Sequence, residues 1–123
     1  MHGDINYIEL GINNIEETLD FYKTLFNWKF TESFLTNHRY FMFETPSNDL
    51  SGAFDALITP SLDGVTVYIL VEDIEFIIKE INLSFKSSKI IKPKSHISED
   101  YGCFALIVDP SGNKIGLHEN PKS

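Results

Sequence analysis

The sequence predicts an α+β fold made of two tandem βαβββ modules that form a mixed, curved sheet around a cavity. Three observations carry this: an internal repeat, a change of hydrophobic period at the same place in both copies, and turn signals spaced for three more strands per half. Displaced against itself by 59 positions, the chain sets Ile8 on Val67, Leu10 on Ile69 and Ile12 on Val71. It then sets Ile15 on Ile74, Leu19 on Ile78, Tyr22 on Ile81 and Phe26 on Phe85. The first three pairs alternate with the two-residue period of a strand. The other four recur at the spacing of one helical face. Two matched βα units imply a duplicated fold.

Each element follows in order. Tyr7 to Ile12 reads as a strand, and Asn14 as the N-cap of a helix running to Phe26, with Glu17 completing a capping-box pattern. Strands follow at Lys29–Leu35, Tyr40–Thr45 and Gly52–Ile58, separated by polar turns at 36–38 and 46–49. Thr59 to Gly64 is the linker. The second half opens with a strand at Thr66–Val71, and Asp73 caps its helix. Its remaining strands are Lys89–Lys92, Cys103–Val108 and Lys114–Glu119, the last two joined by the turn Asp109-Pro110-Ser111-Gly112-Asn113. The domain is read as 1–123, with half-modules of about 4–58 and 65–119. Ser95 to Gly102 reads as a flexible loop, a candidate lid beside Lys94.

Composition limits the function. The chain has 123 residues, enough for one core, with 42% hydrophobic and 13% aromatic residues. The net charge of −8 argues against nucleic acid, which needs clustered Lys and Arg. No apolar run nears the roughly 20 residues of a membrane-spanning helix, and no signal-peptide pattern opens the sequence. A single cysteine, Cys103, fits a reducing cytoplasm and reads as an inert thiol.

Strand alternation sorts the side chains. Ile8, Leu10 and Ile12 share one face of the first strand, and Tyr7, Glu9 and Gly11 the other. Val67, Ile69 and Val71 oppose Thr66, Tyr68 and Leu70; Ile115 and Leu117 oppose Gly116 and His118. The aliphatic faces are expected against the helices. The mixed faces, with Tyr7, Glu9, Thr66, Tyr68 and His118, are expected to line a cavity suited to a small molecule.

Several stretches resemble the glyoxalase/bleomycin-resistance/dioxygenase (vicinal oxygen chelate) superfamily, in its glyoxalase-related branch. They are Ile12-Asn13-Asn14-Ile15-Glu16-Glu17-Thr18-Leu19-Asp20-Phe21-Tyr22, Leu25-Phe26-Asn27-Trp28, Tyr68-Ile69-Leu70-Val71-Glu72-Asp73, Ile90-Ile91-Lys92-Pro93-Lys94, and Phe104 through Glu119 with its Asp-Pro-Ser-Gly-Asn turn. The resemblance implies the glyoxalase/bleomycin-resistance fold and a homodimer. In metal-dependent members, four strand positions hold a divalent metal that stabilises an enolate or activates oxygen. Carried across, those positions fall on Tyr7, about Phe54, Thr66 and Gly116. None is a good metal ligand, so no cofactor is expected and a divalent metal is disfavoured.

Two chemistries are weighed. Glu9 and His118, each two residues beyond a lost ligand position, would form a general acid/base pair or part of a displaced metal site. Set against this, Glu9 bonds to neighbours and His118 lies at a solvated edge. Tyr7, Phe54 and Tyr68 would stack on a planar ligand, or else fill the space themselves. His2, His38 and His96 read as surface residues. The function expected is a small-molecule-binding protein without the usual metal ligands. The alternative is a lyase, isomerase or dioxygenase-like enzyme using Glu9 and His118, with or without a divalent metal.

Overall fold

The repeat is realised as two units of the same build. The structure, a computed structural model, describes residues 1–122 and divides into Met1–Pro60 and Ser61–Ser123. The first unit runs β1 (Tyr7–Gly11), α1 (Ile15–Phe26), β2 (Lys29–Glu32), β3 (Tyr40–Glu44) and β4 (Ser51–Asp55). The second runs β5 (Val67–Leu70), α2 (Ile74–Ser84), β6 (Lys89–Ser98), β7 (Gly102–Val108) and β8 (Lys114–Glu119). The strand orders are β1-β4-β3-β2 and β5-β8-β7-β6, so the two sheets share one topology. In each, the first strand runs parallel to the last and the other pairs are antiparallel. This is the glyoxalase/bleomycin-resistance fold.

The units have the same topology but differently composed cores. In the first, Asn27 takes the left-handed conformation (φ 59°), and its N–H bonds back to Lys23. This ends α1 and swings Trp28 under the sheet. Trp28 stacks between Tyr22, at 4.7 Å, and Phe43, at 4.4 Å. Phe54 packs against Tyr22, Phe30 and Phe43 at 5.0, 5.9 and 5.8 Å. In the second unit aliphatic side chains replace the rings: Ile74, Ile77 and Ile81 of α2 are buried, as are Ile107, Ile115 and Leu117 of the sheet.

The predicted caps and turn are specific in their bonding. Asp73 Oδ1 accepts from Phe76 N–H at 3.2 Å, capping α2. The Asn14 amide instead donates to Glu17 Oε1 at 3.3 Å. In the turn after β7, buried Asp109 accepts the N–H groups of Ser111, Gly112 and Asn113, each at 3.0 Å. Asn113 Oδ1 then accepts Ser61 N–H at 3.2 Å, tying the linker to the turn.

One expected loop is a strand. β6 does not stop at Lys92 but continues to Ser98, which removes the flexible lid. Pro93 is tolerated because β6 is an edge strand, and its pairing with β7 shifts register at three places.

Candidate functional site

In the second unit, the sheet face turned away from α2 holds a cavity of about 470 Å³. Its walls are Tyr68 and Leu70 of β5, Ile97 of β6, Phe104 of β7 and His118 of β8. Register explains the grouping: Tyr68 pairs with Gly116, Leu70 with His118, and Phe104 with His118, so all project on one face. Tyr68 and Leu70 are 52% and 64% exposed, far more than a packing role requires. A Cβ built on Gly116 would sit 2.3 Å from the Tyr68 ring. The glycine is therefore what lets Tyr68 lie flat across β8. His118 Nε2 is 2.7 Å from the Tyr101 carbonyl oxygen. A carbonyl only accepts, so Nε2 carries the proton and donates.

In the first unit, the face turned away from α1 carries a polar chain. Tyr40 donates to Glu9 Oε2 at 2.5 Å, and the Tyr7 and Tyr40 hydroxyls lie 2.8 Å apart. With the Tyr40 proton committed to Glu9, Tyr7 is the donor between the phenols. Burial first, then the bonds to Glu9 and Tyr7, push the Tyr40 phenol well above its ordinary range, which keeps it neutral. Beside it, His38 Nε2 lies 3.0 Å from Asp55 Oδ1, within ion-pair distance but not aligned as a hydrogen bond.

The predicted site residues divide accordingly. Tyr7 and Glu9 are brought together through Tyr40. Tyr68, Gly116 and His118 are brought together around the cavity. Thr66 is half-buried just ahead of β5. Phe54 is a correction: it is fully buried in the ring cluster under α1, because its register with Leu10 and Phe41 gives it the helix-facing side. It cannot line a ligand site. His38 is also not a plain surface residue, since its side chain is 26% exposed beside Asp55.

Tyr40, Phe104 and Ile97 were not singled out from the sequence. The faces of Tyr40 and Phe104 depend on pairings with β4 and β8 that no local pattern reveals. Ile97 lies in the stretch read as a loop. Lys94 is held in ion pairs: its ammonium is 3.1 Å from Glu119 Oε2 and 3.7 Å from Glu75 Oε1. Buried Glu119 also accepts the first N–H of α2, from Ile74, at 2.9 Å. That bond, with Lys94, holds the Glu119 carboxyl below the ordinary carboxylate range.

Metal-dependent proteins of this fold hold a divalent metal, and the residues present here do not fit one. Phe54 faces the core, Gly116 has no donor atom, and Thr66 and Tyr7 are poor ligands. Among the described residues, no three His, Cys, Asp or Glu side chains cluster so as to hold a metal ion. No described helix is long and apolar enough to cross a membrane.

With this geometry established, solved structures supply the comparison. A glyoxalase/bleomycin-resistance/dioxygenase domain from Frankia sp. EAN1pec superposes with a TM-score of 0.73 at 12% identity, over 98% of this chain and 99% of its own. FosX, a genomically encoded fosfomycin resistance protein of Listeria monocytogenes, gives 0.75 at 14% identity, over 98% and 93%. TnmS3, an antibiotic-binding protein from Streptomyces sp. CB03234, gives 0.66 at 17% identity, over 95% of each chain. At such identities the likeness is one of fold. No protein-family model matches the chain, and no curated protein matches it significantly.

Proposed function

We propose that this chain is a small-molecule-binding member of the glyoxalase/bleomycin-resistance superfamily that works without the usual metal ligands. The observation that carries the reading is the cavity walled by Tyr68, Leu70, Ile97, Phe104 and His118. Its volume falls in the range of small-molecule sites, and its mostly apolar wall with a few polar groups, on His118 and Tyr68, is their usual form. TnmS3, with the same fold, is an antibiotic-binding protein, which supports a ligand of that kind. Planar aromatic compounds suit the exposed Tyr68 ring, and the net charge of −8 favours neutral or cationic ones.

Thermal unfolding tests this against a panel of neutral and cationic planar aromatics, with fosfomycin included. At about 1 mM, a compound with a Kd near 10 μM stabilises the fold by roughly 2.7 kcal/mol. A rise in Tm that saturates, with the compound recovered unchanged, supports binding without turnover. No shift across the panel overturns the reading.

The Tyr7–Tyr40–Glu9 chain favours a second reading, an enzyme of lyase, isomerase or dioxygenase type in which Glu9 is the general acid/base. Consumption of a panel compound that stops in Glu9→Gln would put this reading first.

The binding reading also takes the protein as a cytoplasmic homodimer. Cytoplasm would keep the free Cys103 thiol reduced. Phe34 and Leu35, 86% and 98% exposed at one turn, offer apolar surface for association. A monomer by light scattering at micromolar concentration would overturn the dimer.

A further inference from the structure

We infer that the cavity of the second unit selects planar aromatic ligands that carry a hydrogen-bond donor, an N–H or O–H group, and that His118 Nδ1 is the acceptor that selects them. The inference deepens the reading of this cavity as a ligand site and rests on it.

The turn between β6 and β7 fixes the protonation of His118. Gly102 has φ +78°, and a Cβ there would meet the Glu119 carbonyl at 2.1 Å. Only glycine lets the turn approach the end of β8 so closely. Ser98 Oγ accepts Tyr101 N–H at 3.0 Å and holds the turn's other side. Together these place the Tyr101 carbonyl 2.7 Å from His118 Nε2. Because that oxygen can only accept, it selects the tautomer with the proton on Nε2. Nδ1 is then left as a lone-pair acceptor, and it has no hydrogen-bond partner among the described residues.

The rest of the wall is apolar apart from the Tyr68 hydroxyl. Leu70, Ile97 and Phe104 offer no polar atom, and the Tyr68 ring lies on Gly116. A flat ring has a stacking surface in Tyr68, and a donor on its rim meets the His118 imidazole, with the Tyr68 hydroxyl as the wall's other polar group. An analogue lacking the donor covers Nδ1 without bonding it, and the loss of such a bond costs roughly five- to tenfold in affinity.

The experiment uses the full chain with two probes of matched shape, 1-naphthol and 1-methoxynaphthalene, titrated by calorimetry. The expected result is naphthol binding roughly five- to tenfold tighter in the wild type. The preference should vanish in His118→Phe, whereas Tyr68→Ala should weaken both probes. Equal affinities in the wild type, or a preference that survives His118→Phe, overturn the inference and leave the cavity a binding site. Binding of neither probe overturns the inference and the ligand-site reading of the cavity together. Nitrogen NMR of the wild-type imidazole provides a check that needs no variant. A proton on Nε2 and an Nδ1 signal that moves with naphthol but not with its ether are expected. A proton on Nδ1 with Nε2 bare overturns the inference.

Discussion

Phe54→Ala separates two roles that the sequence alone leaves together. The resemblance puts Phe54 among ligand-binding residues, whereas the structure buries it completely against Tyr22, Phe30 and Phe43. Truncating a buried Phe costs about 3–5 kcal/mol, through lost transfer energy and the cavity left behind. Each of the three ring contacts adds about 0.5–1.5 kcal/mol to what area alone predicts, so the upper part of that range is expected. The neighbours are themselves rings held by α1, β2 and β3, and they have little freedom to collapse into the space. For a chain of this size the loss corresponds to a fall in Tm of roughly 10–20 °C. Urea unfolding followed by circular dichroism measures it directly: with m of about 1–3 kcal/mol/M, the midpoint drops by about 2 M. Phe54→Leu, which restores most of the volume, should recover more than half of the loss. A Phe54→Ala protein within about 1 kcal/mol of wild type, with ligand binding abolished, would refute the assignment to the core.

Further outcomes follow from the same geometry. Glu119→Ala strands the Ile74 N–H and leaves the Lys94 ammonium without its nearer carboxylate, and should cost about 2–4 kcal/mol in urea unfolding; Glu119→Gln, which keeps an acceptor, should cost less. The folded state lowers the pKa of Glu119, so its contribution is complete above the unfolded value of about 4.3 and fades as the pH falls through the folded one. The stability gap between wild type and Glu119→Ala should therefore narrow below about pH 4, and a constant gap would contradict the assignment. Gly116→Ala places a methyl group against the Tyr68 ring, which must lift; binding of a planar ligand should weaken at least tenfold while Tm changes little, as titration and melting on one sample will show. Tyr40→Phe removes the hydroxyl between Tyr7 and Glu9, both exposed, and should cost less than about 1 kcal/mol. In alkaline absorbance titration the amplitude missing from that variant should come from above the ordinary phenol range.

Much of the fold was legible because it is written in local periodicity. The 59-residue repeat, the period switch at Asn14 and Asp73, and the Asp109–Asn113 turn all fall where the structure has strand-to-helix junctions and a hairpin. Tyr68, Gly116 and His118 were legible as a group because alternation gives them one face. Phe54 was misplaced because a position carried across from a resemblance has no register of its own: β4 pairs with β1 at Leu10, and a one-residue slip would reverse every side chain. β6 was cut short because Pro93 looks like a strand end, unless the strand is known to lie at an edge.

The sequence by itself determined the order of elements, the duplication, the Asp73 cap of α2 and the identity of the strand faces in β1, β5 and β8, since each depends on residues a few positions apart. Only the tertiary structure decided the partners. It joined Tyr40 to Glu9 across 31 positions and His118 to the Tyr101 carbonyl across 17, and it set Glu119 over the start of α2 across 45. Those contacts arise from register between distant strands and from where a hairpin places its turn. Both are settled by the packing of the whole sheet rather than by any residue's neighbours in the chain.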